Sequence, residues 1–494
     1  MIEGSLGWLT IPERMVAVAP DLGRLADGLR SEADRVLVLG SGNAAFSARA
    51  VAELFPPAEG FPALSVLDTT VPSAVAAAAE AHDPARTLFV VASRTGSTLE
   101  ANLLFDFFFD RASKALGGAA GSRFLAVTEA GSALDTEATR RRVRAVVPAE
   151  PRAPGAFGGL SQFALVPAAL VGADVEEIAA RAARMAEACR TPGAENPGLL
   201  LGAALGAEAL AGRDKLTLSL ASAIAAFGPW LEALVAFATA KEGRGIVPVV
   251  GEPLGPPAVY GSDRFFVRAD AGDAEDPEAG HLLASLVEHG HPLAGFLWRD
   301  ALDLGAEMFR WQFAAAVAAR LLGVNPFDEP DARDARDRAN RVLAGAAPEA
   351  EAGGAASLGE LLSTTSPRGY LAIAAFVAEA PAAAAALEGL RVAVRRTRRI
   401  ATTAGFGPAV EQALGQLHQG GPDGAFLLLT GPPGAPVAIP NRPWDFGRVL
   451  EAQADGVFEA LQARGRRVAR VRLAGDPAEG IAALAAAVGP EVAA

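Results

Sequence analysis

The sequence predicts an α/β protein built on parallel, doubly wound sheets. Three observations carry that expectation. Short apolar, partly β-branched runs of strand length recur along the chain, helix-length segments separate them, and glycine- or hydroxyl-rich turns follow several of the runs. Sheets of this kind place ligands at the carboxyl ends of their strands.

The elements follow in order. Residues 20–32 have helical composition. Val36-Leu-Val-Leu-Gly40 reads as a buried strand, and it runs into Ser41-Gly42-Asn43 and a helix ending at Leu54. Gly40 and Gly42 permit a tight strand-to-helix turn, but the third glycine of a dinucleotide fingerprint is missing. A strand at 64–67 and a helix at 71–81 come next, then a strand at 87–92, a hydroxyl loop at 93–98 and a helix from 99 to 114. Strands at 124–128 and 143–147 flank a further helix. Residues 160–170 and 175–210 read as helical, with a break at 192–197. A second alternating unit starts at 215–220. It contains an apolar helix at 230–240, strands at 246–250 and 264–268, and a long apolar helix at 308–322 that Asn325-Pro-Phe-Asp-Glu-Pro330 stops. The charged segment 331–343 reads as a helix with a solvated face. Residues 345–357, rich in Ala, Gly and Glu, read as a linker. The remainder predicts helices near 382–397 and 444–464, strands at 424–429 and 467–473, and a polar glycine-rich loop at 415–422. The expected domains are 1–175, 176–345 and a smaller α+β domain at 358–494, with 346–357 as the linker.

With 494 residues, two or three domains are expected. The net charge of −13 argues against general nucleic-acid binding. No apolar run reaches the ~18 residues that span a bilayer, so no membrane association is expected. The first residues lack the basic start and apolar core of a signal peptide. One cysteine, Cys189, excludes a disulfide framework within the chain and suits a reducing cytoplasm. The expected location is therefore cytoplasmic. Nothing in the sequence calls for a cofactor or a metal.

The stretch with most chemical content is Ser93-Arg94-Thr95-Gly96-Ser97-Thr98, between a strand and a helix. Unpaired amides and the positive end of the helix dipole converge at such a junction, which suits an anion. Ser93, Thr95, Ser97 and Thr98 add hydroxyl donors and Arg94 adds charge. The same residue types also make an ordinary helix cap, and composition alone does not separate the two readings.

The segments Val90–Glu100, Lys241–Glu252, Phe309–Pro330 and Gly415–Pro422, with 127–134 and 165–169, resemble the glucose-6-phosphate isomerase family over nearly the whole length. The form resembled is actinobacterial, also found fused to transaldolase, and it carries a C-terminal extension. The resemblance implies two flavodoxin-like sugar-isomerase (SIS) domains, a phosphorylated sugar or similar anionic ligand, and a homodimer. It also implies proton transfer between C1 and C2 of an opened sugar phosphate by a carboxylate base.

Carried over residue by residue, the resemblance is uneven. Ser93, Arg94, Thr95 and Thr98 match the family's phosphate loop. Its Ala-Glu-Ser-Thr-Gly-Lys motif reads Ala236-Phe237-Ala238-Thr239-Ala240-Lys241 here, so Phe237 stands at the base position. Ala156 stands where an arginine steadies the enediolate, and Arg336 where a catalytic lysine is expected. Its His-Ser-Thr-Gly-Gln reads Gln412-Ala-Leu-Gly-Gln416. Glu242 and His418 are the candidate substitutes for the lost groups. The expectation is a phosphosugar-binding homologue with weak or absent isomerase activity. The alternative is a working phosphosugar isomerase with a rearranged site.

Overall fold

In the computed structural model, residues 3–272, 276–346, 358–432 and 434–488 are described. Among them, three parallel sheets carry the chain. The first has the order β2-β1-β3-β4-β5, built from β1 Arg35–Gly40, β2 Ala63–Leu67, β3 Thr87–Ala92, β4 Phe124–Thr128 and β5 Ala145–Pro148. Its helices are α1 Ile11–Leu29, α2 Asn43–Leu54, α3 Pro72–Ala81, α4 Leu99–Leu116, α5 Ala133–Arg140 and α6 Gln162–Leu170, followed by α7 Val175–Ala188 and α8 Pro197–Leu210. β3 and β4 are buried along their whole length, which is why they read as unbroken apolar runs.

The second sheet has the order β7-β6-β8-β9: β6 Lys215–Leu220, β7 Val247–Val249, β8 Arg264–Ala271 and β9 Leu293–Trp298. With it go α9 Gly228–Thr239, α10 Pro277–Glu288, α11 Leu304–Leu322 and α12 Arg333–Leu343. The third has the order β11-β10-β12-β13: β10 Tyr370–Phe376, β11 Ala401–Phe406, β12 Ala425–Thr430 and β13 Arg467–Arg472. Its helices are α13 Leu358–Thr364, α14 Pro381–Arg398, α15 Ala409–Gly420, α16 Phe446–Ala463 and α17 Pro477–Ala487. Every sheet starts in its centre, steps to one side, then crosses to the other. This is flavodoxin-like winding, and it leaves a crevice where the direction reverses. Two SIS domains and an extra domain account for the chain, and the sheet of the extra domain is wholly parallel.

Several expectations change. The first helix begins at Ile11, with Pro20 inside it. Ile11, Met15, Ala19, Leu22, Ala26 and Leu29 are all buried on one helical stripe, and that burial outweighs the proline's missing amide. Residues 415–420, expected as loop, are the second half of α15. Gly420 belongs there because a Cβ at that position would meet Asp331 Oδ2 at 2.2 Å. The elements β9, β10, β11, α10, α13 and α17 are additional to those the patterns predict. Of the linker at 346–357, residues 347–357 lie outside the described residues. The stretch Ser222–Thr239 has the length and apolarity of a membrane-spanning helix, yet 67% of it is buried inside the fold, as in the core of a soluble protein.

Candidate functional site

The crevice of the first sheet opens between the loops that follow β1 and β3. A cavity of about 120 Å³ lies beside it. One wall is the start of α4, with Ser97, Thr98 and Glu100. The others are Phe237 of α9, Arg336 and Asn340 of α12, Glu411, Gln412, Gln416 and Gln419 of α15, and Gln453 of α16. The third domain thus closes a site that the first two begin. Gln412 seals the joint: its Oε1 is placed 3.6 Å from where a Cβ on Gly42 would stand, and its Nε2 donates to Glu100 Oε1 at 3.3 Å.

The hydroxyl loop is internally bonded. Ser93 is buried, its Oγ accepts from the Gly96 amide at 3.2 Å, and it lies 3.0 Å from Thr98 Oγ1. Thr95 Oγ1 and Ser97 Oγ are 2.7 Å apart. Thr98 is the N-cap residue of α4 but makes no side-chain cap, because its hydroxyl is engaged with Ser93. The first amides of α4 therefore keep their polarity for the cavity. Arg94 is directed elsewhere, into an ion pair with Glu129 at 2.9 Å. Of the four residues expected to hold phosphate, Thr98 lines the cavity, Ser93 supports it, and Arg94 and Thr95 are not on its wall.

Phe237 occupies the wall next to Ala156. Its ring lies against Gly155 and 6.2 Å from the ring of Phe157. Ala156 is buried in the short 3₁₀ turn Gly155–Gly158 and does not line the cavity. Below the ring, the Lys241 amine donates to the carbonyls of Phe237 and Ala238, capping the end of α9. Burial pushes Lys241 down to about 8, although Asp328 lies 3.9 Å away. Arg336 does reach the cavity, paired with Glu329 at 3.2 Å.

The two candidate substitutes fall off the wall. Glu242 is exposed in a tight turn with φ +57°. His418 is on the buried face of α15, its Nδ1 3.0 Å from Glu411 Oε1 and its ring edge-on to Phe426 at 5.3 Å. Glu232 is also buried and absent from the cavity wall. Burial pushes its carboxyl up to about 8, with the Arg391 charge opposing.

Three carboxylates that the pattern did not single out line the cavity: Glu329, which pairs with Arg336, and Glu100 and Glu411. Glu100 accepts from Gln453 Nε2 at 2.7 Å as well as from Gln412, and burial raises its pKa against the pull of Arg336 and of these amides. Glu411 stands one residue before Gln412. Glu100 was within reach of sequence reasoning, since it ends the segment Val90–Glu100 that carries the resemblance, whereas Glu411 lies just outside the aligned Gln412–Gln416. Gln453 gave no local signal, and only the fold brings it in.

No protein-family model matches the chain. The glucose-6-phosphate isomerase of Rubrobacter xylanophilus is 26% identical over 316 residues, covering 56% of this chain and 72% of that protein. The glucose-6-phosphate isomerase of Synechococcus sp. is 30% identical over 350 residues, covering 62% of this chain and 65% of that protein. Among solved structures, a glucose-6-phosphate isomerase from Chlamydia trachomatis superposes with a TM-score of 0.55 at 17% identity, covering 66% of this chain and 72% of that one. With the shared motifs and the flavodoxin-like winding, the chain is similar to glucose-6-phosphate isomerases over more than half of its length.

Proposed function

We propose that this chain binds a phosphorylated sugar in the cavity beside α4, and that the family's aldose–ketose proton transfer is lost at position 237. The observation that carries this reading is the Phe237 ring on the cavity wall. A hydrocarbon ring accepts no proton, and a missing general base costs ~10²–10⁴ in rate. The phosphate would meet the uncapped start of α4 and the Thr98 hydroxyl. The substrate class comes from the relatives, whose names specify glucose 6-phosphate. The same reading includes a cytoplasmic homodimer and domain boundaries near 175 and 346–357.

A second reading, a working isomerase with a rearranged site, is favoured by one observation: Glu100 and Glu411 line the same cavity. The two readings share the ligand and differ in the chemistry. Coupled turnover of fructose 6-phosphate, measured beside an ordinary isomerase and beside thermal shifts with the same sugars, separates them. The expected result is a clear thermal shift with turnover at least ~100-fold lower than the reference enzyme. Reference-level turnover overturns the loss of chemistry, and absence of any shift overturns the ligand.

A further inference from the structure

The geometry points to Glu411, steadied by His418, as the proton-transferring base that remains in this cavity. This rests on the proposed phosphosugar ligand and concerns what chemistry survives without a base at 237.

Glu411 lines the cavity with an 11% exposed side chain, and its two oxygens are treated differently. Oε1 is held by His418 Nδ1 at 3.0 Å. Oε2 is buried with no hydrogen-bond partner among the described residues. Its surroundings are known from Gly415: a Cβ there would stand 3.4 Å from Glu411 Oε2, 3.8 Å from Ala332 and 3.8 Å from Gln419 Nε2. Ala332 and Gln419 are themselves on the cavity wall. The unpartnered oxygen therefore lies against the lining, not in a separate part of the core. A buried carboxylate oxygen without a donor is costly, and a structural residue would have both oxygens satisfied.

His418 suits the supporting role. It is buried in α15, on the same helix as Glu411, where Nδ1 is the nitrogen that can donate to a carboxylate, while Nε2 finds no partner among the described residues. A neutral ring with its proton on Nδ1 leaves only a lone pair unmatched, which is less costly than an unmatched N–H. The imidazole thus fixes the carboxylate's rotamer without competing for the second oxygen. Glu100 is the less suitable carboxylate. Its Oε1 already accepts two amide hydrogen bonds, and it stands at the start of α4, where the phosphate is placed.

In the proposed step, Glu411 takes the C2 proton of the open-chain aldose phosphate. The C2–H electron pair becomes the C1=C2 bond, and the carbonyl pair moves to O1, giving an enediolate. Arg336 on the same cavity supplies positive charge for it. The hydroxyl proton passes from O2 to O1, Glu411 returns its proton to C1, and the ketose results. No oxidant or further reactant enters.

The test is hydrogen exchange at C1 and C2. Glucose 6-phosphate and fructose 6-phosphate are incubated with the chain in D₂O, and loss of the C–H signals is followed by NMR. The wild-type chain is expected to catalyse slow exchange. Glu411→Gln should lower it by ~10²–10⁴, Glu411→Asp by less, and the thermal shift with glucose 6-phosphate should survive in both. His418→Asn should lower the exchange rate while leaving the shift in place. Exchange that is absent in the wild-type chain, or unchanged in Glu411→Gln, overturns the inference while the ligand stands. A wild-type chain that shows no thermal shift overturns the phosphosugar reading itself, and this inference with it.

Discussion

The Phe237 ring packs on the backbone of Gly155 so closely that a Cβ at 155 would lie 2.5 Å from ring atom Cε2. Gly155 also has φ +41°, a conformation that L side chains seldom adopt. Gly155→Ala should therefore destabilise the fold by ~1–3 kcal/mol through overpacking. In a Phe237→Leu background the same change should cost less. Urea unfolding of the two single variants and the double variant reads the coupling, and strict additivity would show that the contact carries no energy.

Phe237→Glu should restore a proton acceptor at the family's position and raise sugar-phosphate turnover by at least ~10-fold. It also removes a buried aromatic ring whose truncation typically costs ~3–5 kcal/mol, so Tm should fall. Both are read from one preparation, by coupled assay and by thermal melt. Unchanged turnover in a folded variant would show that Ala156 and Arg336 leave the pocket without the rest of the family's machinery.

Thr98→Val tests the anion end of the cavity. It removes the hydroxyl that faces Ser93 and the cavity while nearly keeping the volume. The thermal shift from glucose 6-phosphate should shrink, and so should the shift from inorganic phosphate. The unliganded Tm should move only slightly, since the lost Ser93 contact is worth ~0.5–1.5 kcal/mol. Retention of both shifts would place the phosphate elsewhere.

Glu232 gives a pH dependence with a definite sign. Its carboxyl is raised from 4.5 to about 8 by burial, so the folded chain holds this proton more tightly than the unfolded chain. Below about 4.5 the group is neutral in both states and adds no penalty. Between about 4.5 and 8 the penalty grows as the unfolded chain ionises first, and above 8 it is constant. Glu232→Gln should thus gain stability over the parent as pH rises through that window. Melts of both chains from pH 4 to about 9 check it, and a flat difference would rule out the buried-acid account.

Most of the sheet framework was legible in the sequence because its strands are buried on both faces. Val36–Gly40 and Phe124–Thr128 show this, and each is followed by a segment of plain helical composition. The strand β9 escaped notice because it is an edge strand whose exposed and partly buried positions alternate. The strand β10 was hidden in a longer apolar stretch, 370–387, which Glu379 and Pro381 interrupt only just before α14 begins. At the site, the hydrocarbon side chain at position 237 was readable directly, and it lines the cavity. The placement of Arg94 was not, because Glu129 lies on a different loop and captures its guanidinium. Glycine content suggested a loop at 415–422. Tertiary contact decided otherwise, since those glycines let α15 settle against Asp331 and Ala332.

The hydrogen bond between Glu100 and Gln412 joins residues 312 positions apart, and the one between Glu100 and Gln453 spans 353. A molecule resting in this hollow would be clasped by the beginning and the end of the polypeptide at once. Its arrival would tie the terminal domain to the first, so the parting of those two lobes, and not a flap of its own, would set how quickly it could leave.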